Sequence, residues 1–401
     1  MKYLHFDARA LSLMRILIAL IIMIDLVVRL SDLEAFYSDT GVLPLYALFK
    51  DLWNPYYISI HTLSGLWQVQ LLVFILSFFC ACMLLIGYRT TLFSFLCWFL
   101  LLSLHNRNGL ILQGGDDLLR MVLFWGMFIP WGDRYSCDRL LNDANLPRHL
   151  LSVALIAYTL QLCYIYTGSA LLKGPEWSQT YTAMYYAYNV DQITYPTIKL
   201  IYYHPELLKA FTCLAYYFEL LVPVLFFIPY KHGAFRAFAV ILIVLFHFLN
   251  SVTLFIGLFP FIGMVTAVGM LPASVMDQFD SRFYKLRIFL SNFYLKIAYR
   301  LQYVIAWKRP TYIHHPVYDK IKTAVLIFLT LFVFDWNFSN ISFINKKLSD
   351  DLRFIGYSLR LDQNWGMFAP GVFKQDGWYV LEGTTKNKKQ FNLLEPGKEL
   401  T

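Results

Sequence analysis

Two ionisable residues in this 401-residue chain stand in or beside apolar runs, where a charge has chemical consequences. Lys173 closes one run and is followed by Gly-Pro-Glu-Trp, so that Glu176 and Trp177 lie close to it. Its amine either reaches the membrane interface or serves as a base in an apolar pocket. Glu219 lies inside another run and either neutralises a charge on a second helix or binds a proton.

A polar cluster separates two further apolar runs and is a candidate pocket. It comprises His105, Asn106, Arg107 and Asn108, then a Gly-Gly turn with Asp116 and Asp117. Glycines let the backbone approach a ligand closely. The alternative is a capped turn, in which Asp116 or Asp117 caps the next helix. Both interpretations stay open at this point.

Two further polar pairs have the spacing of neighbours on a helix. Asp25 and Arg29 are four residues apart and predict a self-compensated pair near the outer interface. His247 and Asn250 are three apart in an apolar run, which favours hydrogen bonding between helices over catalysis. No nucleophile-elbow, zinc-protease, P-loop or dinucleotide motif accompanies any of these groups. The spacing of the six cysteines predicts neither a metal site nor a disulfide framework.

Composition places all of these residues in a membrane protein. The chain is 58% hydrophobic and 15% charged, against roughly 45–50% and about 25% in soluble domains. The net charge is +8, and the basic residues cluster in loops between apolar runs. This pattern is typical of membrane topology and predicts no nucleic-acid partner. Residues 181–203 hold seven tyrosines, predicting either an interfacial aromatic belt or a groove for a ring-bearing ligand such as a quinone.

The apolar runs predict an all-helical bundle with about nine membrane spans. A span needs about 20 apolar residues, and the predicted segments are 11–30, 67–87, 90–104, 118–132, 149–172, 207–229, 234–252, 253–271 and 321–338. Basic residues fall in alternate loops, which predicts a cytoplasmic N-terminus and an extracytoplasmic C-terminus. The transmembrane domain is predicted over 1–338, including an amphipathic helix at about 282–307 on the cytoplasmic leaflet. Residues 339–401 are predicted to form a small extracytoplasmic domain, with a β-hairpin around 376–395.

Several segments resemble one family along nearly the whole chain. They are residues 13–29, 87–89, 105–117, 168–177, 246–251, 255–259, 363–370 and 376–378. The chain resembles the bacterial horizontally transferred transmembrane (HTTM) domain family, which is related to the vitamin K-dependent γ-glutamyl carboxylase. The resemblance implies residence in a bacterial cytoplasmic membrane, with the lipid bilayer as the surrounding partner.

The resemblance also implies an activity and site residues. Lys173 matches the carboxylase lysine that deprotonates a quinol, and His105 or Asn108 matches a histidine after the third helix. The implied function is a carboxylase-like (lyase) enzyme that uses a quinone or hydroquinone, or modifies a peptide, at the extracytoplasmic face. Trp365 matches a tail tryptophan, but Phe368, Ala369 and Pro370 follow where the carboxylase has a histidine and an arginine. The alternative is a non-catalytic maturation factor for an exported peptide or protein.

Overall fold

The computed structural model describes residues 5–141, 149–305, 316–341, 344, 347–377 and 380–393. Twelve helices of ten or more residues dominate it. They are α1 Ala8–Leu30, α2 Trp67–Ile86, α3 Thr90–Arg107, α4 Gly114–Gly126, α5 Val153–Leu172, α6 Pro205–Leu225, α7 Ala234–Thr253, α8 Phe259–Val268, α9 Ala273–Arg282, α10 Tyr284–Ile305, α11 Pro316–Ser339 and α12 Asp350–Leu359. Among these residues the named strands form two short antiparallel pairs, β1 Phe6–Asp7 with β2 His149–Leu150 and β3 Glu382–Thr384 with β4 Gln390–Asn392.

Five helices of the described chain are long and apolar enough to cross a membrane. They are α1, α2, α5, α6 and the segment Lys231–Thr253 that contains α7. The prediction of a helical membrane protein is therefore confirmed, whereas the predicted total of nine spans is not. The pair α8 and α9 would add a sixth crossing as one broken span, but it is bent by 101°. Leu271-Pro272 lies at this bend, where proline removes a helical hydrogen bond.

The remaining predicted spans differ from a straight apolar crossing in two ways. The helix α4 has 13 residues, or about 20 Å at 1.5 Å per residue, against roughly 30 Å of hydrocarbon. The helix α3 has 18 residues but ends in His-Asn-Arg, which lowers its apolar content. The predicted span 321–338 lies within the 24-residue α11, which is not among the five.

The short helix α4 lies at the centre of the bundle. Every residue from Leu118 to Gly126 is buried, and α3 and α8 pack against it. The helix α1 packs on α2 and α8, and α7 packs on α6 and α8. A helix that is buried on all sides lies in the core of a large bundle. Hydropathy alone predicts a membrane span for such a helix, even when the helix does not reach either membrane surface.

The helix α7 shows how these helices divide between protein and lipid. Its outward side chains are large and apolar, and Phe238, Ile241 and Phe248 are each more than half exposed. Its opposite face buries Ile243 and His247. A continuous exposed apolar surface of this kind fits contact with hydrocarbon rather than water. The same arrangement directs His247 into the protein.

Candidate functional site

A cavity of about 260 Å³ lies between α5, α6, α7 and α8. The segments 113–114, 173–188, 254–256 and 367–368 also contribute to its walls. Its lining is mostly apolar and aromatic with a few polar side chains: Gln113, Gly114, Ile165, Tyr166, Ser169, Lys173, Trp177, Met184, Ala187, Tyr188, Ala215, Glu219, Phe246, His247, Asn250, Leu254, Ile256, Phe259, Met367 and Phe368. Ligand sites in proteins are commonly concave, mainly apolar and equipped with a few polar groups.

Lys173 reaches this cavity because of how α5 ends. The helix contains a π-helical turn at Tyr164–Gly168 and stops at Leu172. Lys173 itself is extended, and Gly174-Pro175 starts a new short helix. Single π-helical turns occur often at functional sites, where they redirect side chains. The lysine side chain is only 3% exposed, so its amine is held inside the protein.

The amine of Lys173 has three neighbours. Its Nζ forms an ion pair with the Glu219 carboxylate and lies 3.1 Å from Ser169 Oγ. It also lies 4.3 Å from the centre of the Trp177 ring, within the range of a cation–π contact. The Glu219 side chain is 8% exposed. Glu219 thus pairs with a charged group outside its own helix, which offsets the cost of burying either group alone.

A second polar pair faces the same cavity. Tyr166 Oη and His247 Nε2 are 3.0 Å apart, which links α5 to α7. The His247 ring packs edge-on against Phe259, with ring centres 5.3 Å apart. The interhelical hydrogen bond predicted for His247 is therefore present, and both His247 and Asn250 also line the cavity. Tyr166 was not among the sequence candidates, although it precedes Lys173 by seven residues, or about two helical turns.

The predicted catalytic His105 lies elsewhere, in a buried network of charges. It is fully buried, with Asp116 3.4 Å from Nε2 and Arg120 3.3 Å from Nδ1. Arg29 joins the network by pairing with Asp116 as well as with Asp25. The expected pair of Asp25 and Arg29 is thus part of a larger group of compensated charges. His105 does not line the cavity that holds Lys173.

The backbone of the segment before α2 accepts hydrogen bonds from three residues of the predicted pocket, Asn106, Arg107 and Asn108. Their side chains donate hydrogen bonds to the carbonyls of Ile58, Leu43 and Phe36 at 2.9, 2.8 and 2.9 Å, respectively. The Arg360 guanidinium also donates to Asn106 Oδ1. These contacts hold the loop between α1 and α2 in place. The three side chains are not among the residues that line the cavity with Lys173.

Asp116 and Asp117 make different contacts at the start of α4. Asp116 Oδ2 accepts the Gln113 backbone N–H at 2.8 Å in a capping box, so Gln113 and not an aspartate is the N-cap of α4. Asp117 pairs with Arg120 at 2.8 Å and borders a second, more open cavity of about 290 Å³. The two cavities share Gln113, Gly114 and Met367 as a wall. The Gly-Gly turn therefore does lie against a cavity.

The remaining sequence candidates are Glu176, Trp177 and Trp365. Trp177 lines the cavity and donates from Nε1 to the Phe368 carbonyl at 2.9 Å. Glu176 pairs with Lys374 at 2.9 Å, and this hydrogen bond holds the pKa of the Glu176 carboxyl below its usual value. Trp365 is buried and donates to Gln363 Oε1 at 2.9 Å, so its observed contacts are structural.

Comparison with known proteins supplies the family. A family model described as the HTTM domain matches residues 3–273, which is more than half of the chain. The matched region holds Lys173, Glu219 and His247, and ends before the segment that carries Met367 and Phe368. No curated protein and no solved structure matches the chain significantly. The chain therefore belongs to the HTTM domain family, as its resemblance to that family predicted.

Proposed function

We propose that this protein is a membrane enzyme that binds an apolar, ring-bearing ligand of the quinol class and uses Lys173 as a base. The observation that carries the proposal is the buried ion pair of Lys173 and Glu219 on the wall of a largely apolar cavity. Ionisable groups at membrane depth mark functional sites by default. The carboxylase-like resemblance of this segment supports the choice of a quinol.

The cavity fits such a ligand in shape and in donor set. Phe246, Phe259 and Trp177 supply aromatic surfaces for a ring, which favour edge-on or offset contacts. The polar groups are confined to Lys173, Glu219 and a few neutral side chains, which matches an apolar body that bears few oxygens. A bound quinol would supply an acidic hydroxyl and a redox-active ring.

The chain's own part in the reaction is to move and hold a proton. Transfer of one proton from Lys173 Nζ to the Glu219 carboxylate leaves both groups neutral and frees a basic amine beside the cavity. The amine then accepts the proton of the ligand hydroxyl, so that Lys173 ends positively charged and Glu219 ends protonated. Two such coupled groups titrate as a unit, and the Trp177 ring and Ser169 Oγ stabilise the ammonium.

Extraction of the purified protein tests the ligand class. We expect organic extraction followed by mass spectrometry to recover a quinone in near-stoichiometric amount from the native protein. Lys173→Ala, purified in the same way, should retain less of it because the polar contact is lost. Recovery of an exported peptide without any quinone would contradict the enzyme proposal and favour the maturation-factor alternative.

We also propose that the N-terminus lies in the cytoplasm and the C-terminus outside it, in a bacterial cytoplasmic membrane. The charge bias of the loops supports this orientation. An odd number of crossings, such as five, separates the termini, whereas six would place them on the same side. Alkaline phosphatase fused after Thr401 should be active, and green fluorescent protein fused there should be dark. The reverse pair of results would show an even number of crossings and contradict the orientation.

A further inference from the structure

One ring nitrogen of His247 is buried without a partner. The residue is 1% exposed, and its Nδ1 has no hydrogen-bond partner among the residues that the structure describes. Its other nitrogen, Nε2, is bonded to Tyr166 Oη. A buried polar atom without a partner destabilises the folded state, so each such atom calls for a physical explanation.

The position of His247 supplies that explanation. The residue lines the cavity that holds Lys173, and Asn250 follows it on the same face of α7 and lines the cavity as well. The side chain of Asn250 makes no hydrogen bond to any described residue. Two hydrogen-bonding groups on one helix face are therefore available in a cavity that is otherwise mainly apolar.

The bond to Tyr166 leaves Nδ1 able to recognise oxygen in either of two forms. When the tyrosine hydroxyl donates to Nε2, Nδ1 carries the ring hydrogen and donates to a carbonyl. When Nε2–H donates to the tyrosine oxygen, Nδ1 accepts from a hydroxyl. The same dyad can thus bind a carbonyl or a hydroxyl without a change in ring position.

We propose that His247 Nδ1 and the Asn250 side chain form a second polar subsite, which binds a carbonyl or hydroxyl oxygen of the ligand. The inference rests on the proposed function and deepens it. A ligand of the proposed class is then held at two oxygens, one at Lys173 and the other at His247. The proposed quinol carries two ring oxygens, and this subsite assigns the second of them to His247 and Asn250.

The test compares two probes with the same ring body, 1,4-naphthoquinone and naphthalene. Their affinities are measured by equilibrium dialysis against the full chain in lipid nanodiscs, with empty nanodiscs correcting for lipid partitioning. We expect the native protein to prefer the quinone by at least about tenfold, the value of one net hydrogen bond. His247→Gln keeps an amide near the Nε2 position and loses Nδ1, so the preference should fall about tenfold. His247→Asn places its amide near Nδ1 and should retain most of the preference.

A Lys173→Met variant separates this inference from the proposed function. A preference that survives His247→Gln but vanishes in Lys173→Met would overturn the His247 subsite and leave the lysine site intact. Equal losses in His247→Gln and His247→Asn would also overturn it, because they would indicate a packing role alone. If neither probe binds the native protein, the proposed ligand class and the subsite fail together.

Discussion

Arginine at position 173 is expected to slow proton transfer in the cavity strongly while leaving membrane insertion and expression near native levels. Arginine keeps the positive charge beside Glu219, but its guanidinium does not release a proton in a protein. A general base contributes roughly 10²–10⁴-fold to rate, so we expect Lys173→Arg to slow ligand deprotonation by that order. Stopped-flow absorption of 1-naphthol mixed with the protein in nanodiscs measures this step, because ionisation shifts the absorption band of the naphthol.

Lys374→Arg is the matched control for this change. Lys374 also pairs with a glutamate, Glu176, but its side chain is 55% exposed and lies outside the cavity lining. We expect the control variant to deprotonate 1-naphthol at the native rate. A native deprotonation rate in Lys173→Arg would contradict the base role of Lys173. The lysine would then supply only a fixed charge, and Glu219 would be the proton acceptor.

Replacement of Arg120 by methionine is expected to cause a large loss of stability. Arg120 is fully buried and donates to the carbonyls of Arg360 and Asp362 at 2.8 and 3.0 Å while pairing with Asp117. Removing one partner of a buried ion pair typically costs about 3–5 kcal/mol, and the lower end of this range applies here because the remaining Asp117 side chain is 24% exposed. The free energy of unfolding, measured with denaturant in detergent micelles, should fall by that amount in Arg120→Met.

Arg353 provides the control with the same geometry and different burial. It pairs with Asp350 three residues earlier, as Arg120 pairs with Asp117, but the Asp350 side chain is 97% exposed. Exposed ion pairs contribute about 0–1 kcal/mol, so Arg353→Met should change stability by less than about 1 kcal/mol. Similar losses in the two variants would show that burial of the charge network around His105 is not what stabilises the bundle.

The apolar helices were predictable because their signal is local. Twenty or so consecutive apolar residues form a helix that lipid can surround, and α1, α2, α5, α6 and α7 follow the predicted segments closely. The end of α5 just before Lys173 was also predictable from a local signal, since Gly174-Pro175 begins a new helix. The predicted span 118–132 is not confirmed, because α4 has 13 residues and hydropathy does not distinguish a helix buried in protein from one that crosses the membrane.

The contacts between helices follow from the tertiary structure and not from local sequence patterns. Lys173 and Glu219 are 46 residues apart, and Tyr166 and His247 are 81 apart. Spacing within each helix identifies which side chains share a face, yet it does not identify the helix that packs against that face. The polar cluster at His105 had the residue types of a pocket, but its side chains bond to Asp116, Arg120 and backbone carbonyls. A membrane bundle with a lysine at the end of one span follows from local sequence patterns. Long-range packing brings this lysine to a glutamate at the wall of a cavity, because that contact depends on how separate helices assemble.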